Sequence, residues 1–230
     1  MIHLIYAIAD THLDGGQDKP MDVFSDIWLN HKDNIEKNWK EIITDEDYVL
    51  LAGDISWALK LEAALEDLKF LDQLPGQKII SRGNHDYWWS SLKKMNDLNL
   101  KTINFLQNNS FSVGNYEVVG SRLWCDESSR EFEKGDERII NREVIRLEMS
   151  IKSAKKDKPI IAMVHYPPFD NNGSPNVFHQ VLKDHKVSIC IYGHLHADGH
   201  KKAVEGLVDG VEYHLTSADY LNFTPKLIRR

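Results

Sequence analysis

Cysteine is almost absent from this chain: two residues, Cys125 and Cys190, in 230. That scarcity argues against a disulfide-stapled secreted scaffold. Because Cys190 falls inside an apolar run, both are read as unpaired core thiols of a reducing compartment. Long apolar runs are missing too. No segment approaches the roughly 20 apolar residues that a membrane span needs. The run from Met1 to Ala9 lacks the basic start and cleavage site of a signal peptide and leads straight into Asp10. A soluble cytoplasmic protein with no membrane partner is expected. Positive charge is in deficit, since 28 Lys and Arg against 35 Asp and Glu leave a formal charge of −7. Such a surface has no general affinity for phosphate backbones, which argues against bulk nucleic acid as a partner. A small phosphate-ester or nucleotide-like substrate stays open, because bound divalent cations would reverse the local field. No repeat, low-complexity tract or linker divides the chain, and its length suits one domain spanning 1–230.

What the chain does have is five short polar clusters, each ending an apolar run: Asp10-Thr11-His12, Gly53-Asp54, Gly83-Asn84-His85-Asp86, His165, and Gly193-His194-Leu195-His196. The runs before them, Ile2 to Ala9, Tyr48 to Ala52, Lys78 to Ser81, Ile160 to Val164 and Val187 to Tyr192, read as buried parallel strands. Ligands bind at the carboxyl ends of strands in open α/β sheets, so five such ends in one sheet would converge on a single point. Helical periodicity fills the gaps. Trp28, Ile35, Trp39 and Ile42 share one face, and Leu61, Ala64, Leu65, Leu68 and Leu71 another. A further helix is expected from Asp136 to Lys156, with Ile139, Ile140, Val144, Leu147 and Ile151 inward and Arg138 and Arg142 on a solvated face. Asp209-Gly210 and Gly114-Asn115 signal hairpins, which would make the sheet structure mixed.

Imidazole, carboxylate and carboxamide are the donors that zinc and first-row divalent metals accept. The spacing of two in Asp10-Thr11-His12, and again from His194 to His196, would put both side chains on one side of an extended segment. Two metals can clamp the oxygens of an in-line phosphoryl displacement and acidify the water between them. Singly, each cluster has an ordinary explanation as a turn, a cap or a satisfied histidine. The five together, in order and at strand ends, point to a metal site, most simply a dinuclear one.

The motifs Asp-x-His, Gly-Asp, Gly-Asn-His-Asp, His and Gly-His-x-His, in this order, resemble those of the calcineurin-like metallophosphoesterases. The resemblance runs from Asp10 to His196. It implies a four-layer α/β/β/α sandwich with two mixed β-sheets flanked by helices. It further implies that Asp10, His12, Asp54 and His196 hold one metal and Asp54, Asn84, His165 and His194 the other, with Asp54 as the bridge. His85 matches the family's non-ligand histidine, which contacts the phosphoryl group and assists the leaving oxygen; a raised pKa would help it do so. Protein serine/threonine phosphatases of the superfamily continue Gly-Asp into Asp-Arg-Gly and end the third motif in Glu. Here Gly53-Asp54 continues Ile55-Ser56-Trp57 and the third motif ends in Asp86, which disfavours a protein phosphatase, removes the carboxylate that orients the catalytic histidine in those enzymes and leaves the group behind His85 unassigned. The chain looks more like the bacterial small phosphohydrolases and phosphodiesterases, and Ser217-Ala218-Asp219-Tyr220 resembles an uncharacterised bacterial branch.

Around the motifs, Arg82 and Arg122 are candidates to grip phosphate oxygens. Tyr87 and Trp88, with Trp89, are candidates to line a substrate pocket or else to begin a helix that docks on the core. The expected activity is hydrolysis of a phosphomonoester or phosphodiester by hydroxide held between two divalent ions of the manganese, iron, cobalt, nickel or zinc kind. Pyrophosphate-bond cleavage of a nucleotide is the alternative enzyme, and a noncatalytic metal-binding partner module the alternative class.

Overall fold

The computed structural model of this chain describes residues 3–15 and 21–230. The alternation of the apolar runs is what builds its layers. Strands β1 (Ile5–Ile8), β2 (Tyr48–Leu51), β3 (Gln77–Ile80) and β4 (Ile103–Phe105) pair in parallel, and β11 (Lys226–Arg229) closes the far edge antiparallel to β1, giving the order β11-β1-β2-β3-β4. A second sheet has the order β5-β6-β7-β8-β10-β9. Its centre, β6 (Tyr116–Val119), β7 (Ile160–Met163), β8 (Ile189–Tyr192) and β10 (Val211–Leu215), is parallel, while β5 (Phe111–Val113) and β9 (Gly206–Val208) are antiparallel edges formed by the two expected hairpins.

Successive strand residues face opposite ways, and both faces of each sheet are covered. Ile5, Ala7, Leu50 and Ile79 meet Val118, Ile161, Met163 and Ile191 between the sheets. Tyr6, Ile8, Val49, Leu51 and Ile80 point outward to Ile35 and Trp39 of α1 (His31–Ile42), Leu68 and Leu71 of α2 (Leu61–Gln73) and Met95 of the short α3 (Leu92–Asn96). On the other side Val119, Ala162, Cys190 and Tyr192 are covered by Leu147 and Ile151 of α4 (Glu137–Ser153) and Phe178 and Leu182 of α5 (Val177–Asp184). This is the expected four-layer sandwich. Two local expectations are revised: Trp28 lies in a separate 3-10 turn before α1, and Ile42 is exposed. Arg138 and Arg142 stand on the solvated face of α4 as expected, and Cys125 and Cys190 are free and buried. No helix among the described residues is long and apolar enough to cross a membrane.

The five expected strands form where the apolar runs place them, most ending one or two residues short of the run; Met1 and Ile2 lie outside the described residues. The strand ends that carry the polar clusters do not belong to one sheet. Three come from the first sheet and two from the second, and they meet because the sheets are stitched together at one end. Ala9, after β1, bridges Ser217, after β10. The Ala9 N–H donates to Thr216 O at 2.7 Å, and the Ala218 N–H returns a bond to Ala9 O at 2.9 Å.

Truncation of an inter-sheet side chain tests this layering. Leu50→Ala, at a fully buried site between the sheets, is expected to cost about 3 kcal/mol of unfolding free energy, read as a lower urea midpoint at unchanged slope.

Candidate metal centre

At the stitched end the chain turns back on itself through strained backbone. Asp10 (φ 58°), His12 (φ 43°), Asp54 (φ 52°) and His194 (φ 71°) all adopt the left-handed conformation that non-glycine residues avoid. Asp10 and His12 are therefore brought together by a turn and not by the extended alternation expected from their spacing, while His194 and His196 part into different groups. Glycine is required between them. A Cβ at Gly83 would lie 2.0 Å from Asp54 Oδ1, and one at Gly193 would lie 2.4 Å from Asp10 Oδ2.

The seven candidate ligands form two adjoining groups. In the first, His12 Nε2 is 3.4 Å from His196 Nε2, which is 3.5 Å from Asp10 Oδ1. In the second, Asn84 Oδ1 is 2.7 Å from His165 Nε2 and 3.1 Å from His194 Nδ1, and Asp54 Oδ2 is 3.3 Å from His165 Nε2. Asp54 Oδ2 is also 3.9 Å from His12 Nε2, so this one oxygen lies between the groups. Asp10, His12, Asp54 and His165 are buried.

The donor chemistry fits cations. His165 Nδ1–H donates to Ala52 O at 2.9 Å and His196 Nδ1–H donates to Asp219 Oδ1 at 2.9 Å. Each ring's other nitrogen, when neutral, presents a lone pair to oxygens or to another imidazole nitrogen. Such acceptor-to-acceptor contacts are relieved only by a proton or a cation. Without a metal, protons do it. Burial alone would depress the His165 pKa, but the Asp54 charge and hydrogen bond outweigh it and raise it to about 9. Burial is likewise outweighed at His196 by Asp10 and Asp219, which raise it to about 10. Burial wins at His12, lowered to about 4, and at His194, lowered to about 3. Asp10–His12–His196 and Asp10–Asp54–His165 each bring three donor atoms within 4.8 Å of one another, as does the neighbouring set His196–His200–Asp219.

His85 sits beside these groups. Its backbone N–H donates to Asp54 Oδ1 at 2.8 Å, its ring packs on Trp57 with centroids 4.5 Å apart, and its buried Nδ1 has no hydrogen-bond partner. Burial lowers its pKa against the opposing Asp54 charge, the reverse of the expected elevation. Asp86 does not orient His85. Its carboxylate accepts from the N–H groups of Asp54 (2.9 Å), Ile55 (2.9 Å), Ser56 (3.3 Å) and Gly83 (2.7 Å) and from Trp88 Nε1 (2.9 Å), pinning the two motif turns together. Burial, then the Asp54 charge, raises the Asp86 pKa to about 6. Three residues lie in segments that the sequence marked, but their roles had no local signal: Asp219 behind His196, Asp86 as a hub of backbone bonds, and Trp57, which stacks on His12 at 4.9 Å.

Two cavities open onto the centre and share His196. One, of about 450 Å³, is largely apolar, with Met21, Phe24, Ile27, Trp28 and Trp57 beside His12 and His85. The other, of about 340 Å³, is more polar, with Glu131, Asn171 and Lys202 beside His194. Trp88 lines neither. It is 2% exposed and packed in the core under α3, a correction to its candidacy as a pocket residue. Tyr87 is 57% exposed, its ring edge-on to His85 at 6.3 Å. Arg82 and Arg122 line a separate small cavity that contains no candidate ligand.

Three outcomes test the centre. Asp219→Ala removes the acceptor behind His196 and is expected to weaken cation binding by the Asp10, His12 and His196 group about 10–100-fold in a metal titration. Because His165 and His196 must each surrender a proton to donate to a cation, apparent affinity should rise with pH from 6 to about 9, by up to about tenfold per pH unit for each proton; equal affinity at both ends refutes this. Asp86→Asn turns an amide N–H₂ toward backbone donors and should cost about 3 kcal/mol by urea unfolding.

Similarity to known proteins agrees with this geometry. No curated protein matches the chain. Among solved structures, a phosphopantetheinyl hydrolase from Mycobacterium tuberculosis has the same fold, with TM-score 0.61, 12% identity, and 98% of this chain and 95% of that chain covered. A protein of unknown function from Aquifex aeolicus matches with TM-score 0.53 and 16% identity, covering 98% of this chain and 95% of that chain. The family model for calcineurin-like phosphoesterases matches residues 3–198. With that match laid over two sheets whose ends gather aspartates, histidines and an asparagine, the chain belongs to the calcineurin-like phosphoesterases, metal-dependent hydrolases that act on phosphoester bonds.

Proposed function

We propose that this chain hydrolyses a phosphomonoester or phosphodiester with water as the direct nucleophile, through a single domain spanning 1–230. The observation that carries the reading is the position of Asp54 Oδ2 between the two donor groups, 3.3 Å from His165 Nε2 and 3.9 Å from His12 Nε2. Two divalent cations, when bound, supply charge neutralisation at the phosphoryl oxygens and an acidified water. Asp10, His12, Asp54 and His196 would hold one, and Asp54, Asn84, His165 and His194 the other; manganese, iron or zinc suits this nitrogen and oxygen set.

The side chains around the centre support the remaining roles in this reading. His85, fixed by its backbone bond to Asp54 and by packing on Trp57, faces the phosphoryl group and hydrogen-bonds it as the leaving oxygen departs. The apolar cavity shared by His85 and Trp57 receives the leaving substituent and excludes water from it. The polar cavity on the far side of His196 leaves room for a second substituent, which favours a diester over a monoester. Lys202 and Asn171 there fit a further phosphate equally well, so a nucleotide-type pyrophosphate bond is the second reading. Covalent phosphoenzyme chemistry finds no support: burial pushes the nearby Cys125 thiol up to about 11, and among the described residues no base is hydrogen-bonded to Ser25 or Ser129. A cytoplasmic setting goes with this reading, since both buried thiols are free.

Hydrolysis of p-nitrophenyl phosphate, bis(p-nitrophenyl) phosphate and a dinucleoside polyphosphate by manganese-loaded protein tests the proposal. Expected are faster turnover of the diester than of the monoester, a kcat about 10²–10⁴-fold lower in His85→Ala with metal retained, and loss of metal together with activity in Asp54→Ala. Retention of configuration at a chiral thiophosphate would defeat direct attack by water. Inactivity of the fully loaded protein on the whole panel would favour the binding-module reading.

A further inference from the structure

The two arginines singled out in the sequence meet a third in a place that the reading above does not use. Arg82 follows β3 in the first sheet, Arg122 follows β6 in the second, and Arg146 projects from α4; all three line one cavity of about 60 Å³. Glu143 is the only carboxylate among the lining residues. It is buried, 2.7 Å from Arg146 Nη1 and 4.0 Å from Arg122 Nη2. One negative charge thus answers three fixed positive ones, an excess that a low-dielectric pocket magnifies.

The donors are as unbalanced as the charges. Arg82 donates no hydrogen bond to any described residue, and its Nε is buried without a partner. Arg122, whose side chain is 12% exposed, also buries an unpartnered Nε and lies over the Trp124 ring at 4.4 Å. Burial pushes the Arg122 pKa down, Glu143 opposes this, and the Arg82 charge adds to the push. A purely structural ion network would neutralise its members. Here the Glu143–Arg146 pair does so, while Arg82, which lines the same cavity, has no carboxylate partner among the described residues.

We propose that the Arg82–Arg122–Arg146 cavity is an oxyanion site, separate from the metal centre, that takes a compact tetrahedral dianion of the inorganic phosphate type. Guanidinium forks match phosphate oxygens bidentately, and the small cavity they border, of about 60 Å³, suits a compact ion. Because its ligands come from the ends of β3 and β6, a bound anion clips the two sheets together at a second point, on the other flank of the metal centre from the Ala9–Ser217 bridge. The inference is independent of whether the metal centre hydrolyses monoesters, diesters or pyrophosphates.

Isothermal titration of the full chain with inorganic phosphate, before and after metal removal, tests it, with thermal unfolding run in parallel. Expected is a saturable phosphate-binding event that survives metal removal and in Asp54→Ala, raises the unfolding midpoint by several degrees, and competes with sulfate but not with chloride. Arg82→Gln, at a side chain that makes no bond, should fold with an unchanged or higher midpoint and lose the phosphate response, with affinity at least about tenfold weaker. Arg146→Gln should weaken it less. Disappearance of all phosphate binding with the metals, or a wild-type response in Arg82→Gln, overturns the proposal. Selective binding of an organic phosphate over free phosphate would overturn its assignment to the inorganic ion.

Discussion

The structure depends on how closely five strand ends can be brought together where the two sheets are stitched. Backbone meets backbone there: the Asp10 N–H donates to Gly53 O at 2.9 Å, while Ala9 is bonded to Thr216 and Ala218 of the other sheet. Any Cβ at Gly53, Gly83 or Gly193 would fall inside 3 Å of a neighbouring turn. The glycines of the motifs are thus a steric condition for the seam. Without it, four candidate ligands at three strand ends of one sheet and three histidines at two strand ends of the other would be held apart by the thickness of an apolar layer.

Closing that seam concentrates like groups. Four candidate ligands accept left-handed backbone, each at a cost on the order of 1 kcal/mol or more. Buried carboxylates and imidazole lone pairs also face one another. Two devices offset these costs. Asp86 gathers backbone N–H groups of both the Gly53-Asp54 and Gly83-Asn84 turns, so that the strained loops brace each other. Ala52 O and Asp219 each take the Nδ1–H of a histidine and fix which ring nitrogen faces inward. The field that results holds protons on His165 and His196 in the absence of metal, and it is the field in which a divalent cation is stabilised.

Polarity is sorted around this centre by direction. Apolar side chains from the 3-10 turns at Met21–Val23 and Asp26–Trp28 border one side, where Phe24 is 71% exposed at the mouth of the larger cavity. Polar groups from the loops after β7 and β8 border the other. Guanidinium groups collect on a third flank. In a chain carrying seven net negative charges, these local excesses of apolar and of positive surface lie outside the five motifs, on 3-10 turns, loops and α4.

The strands other than β4 and β11, helices α1, α2 and α4, both hairpins and the candidate donor residues were legible in the sequence because each rests on local periodicity or on residue type at a strand end. Asp10, His12, Asp54, Asn84, His165, His194 and His196 could be named for that reason, and the glycines marked where turns had to be tight. Membership in two sheets was not legible, since a parallel strand buried on both faces reads alike in either one. Nor was the fate of polar residues next to the motifs. Asp86 is held in the core by long-range bonds from the loop after β2 and in turn accepts from the Trp88 indole, Asp219 reaches His196 from 23 residues away, and Arg82 meets Arg122 only across the inter-sheet seam. Residue type and period fix what a side chain can donate or bury. Its partners, and hence its protonation and its role, are decided only when distant segments are packed together.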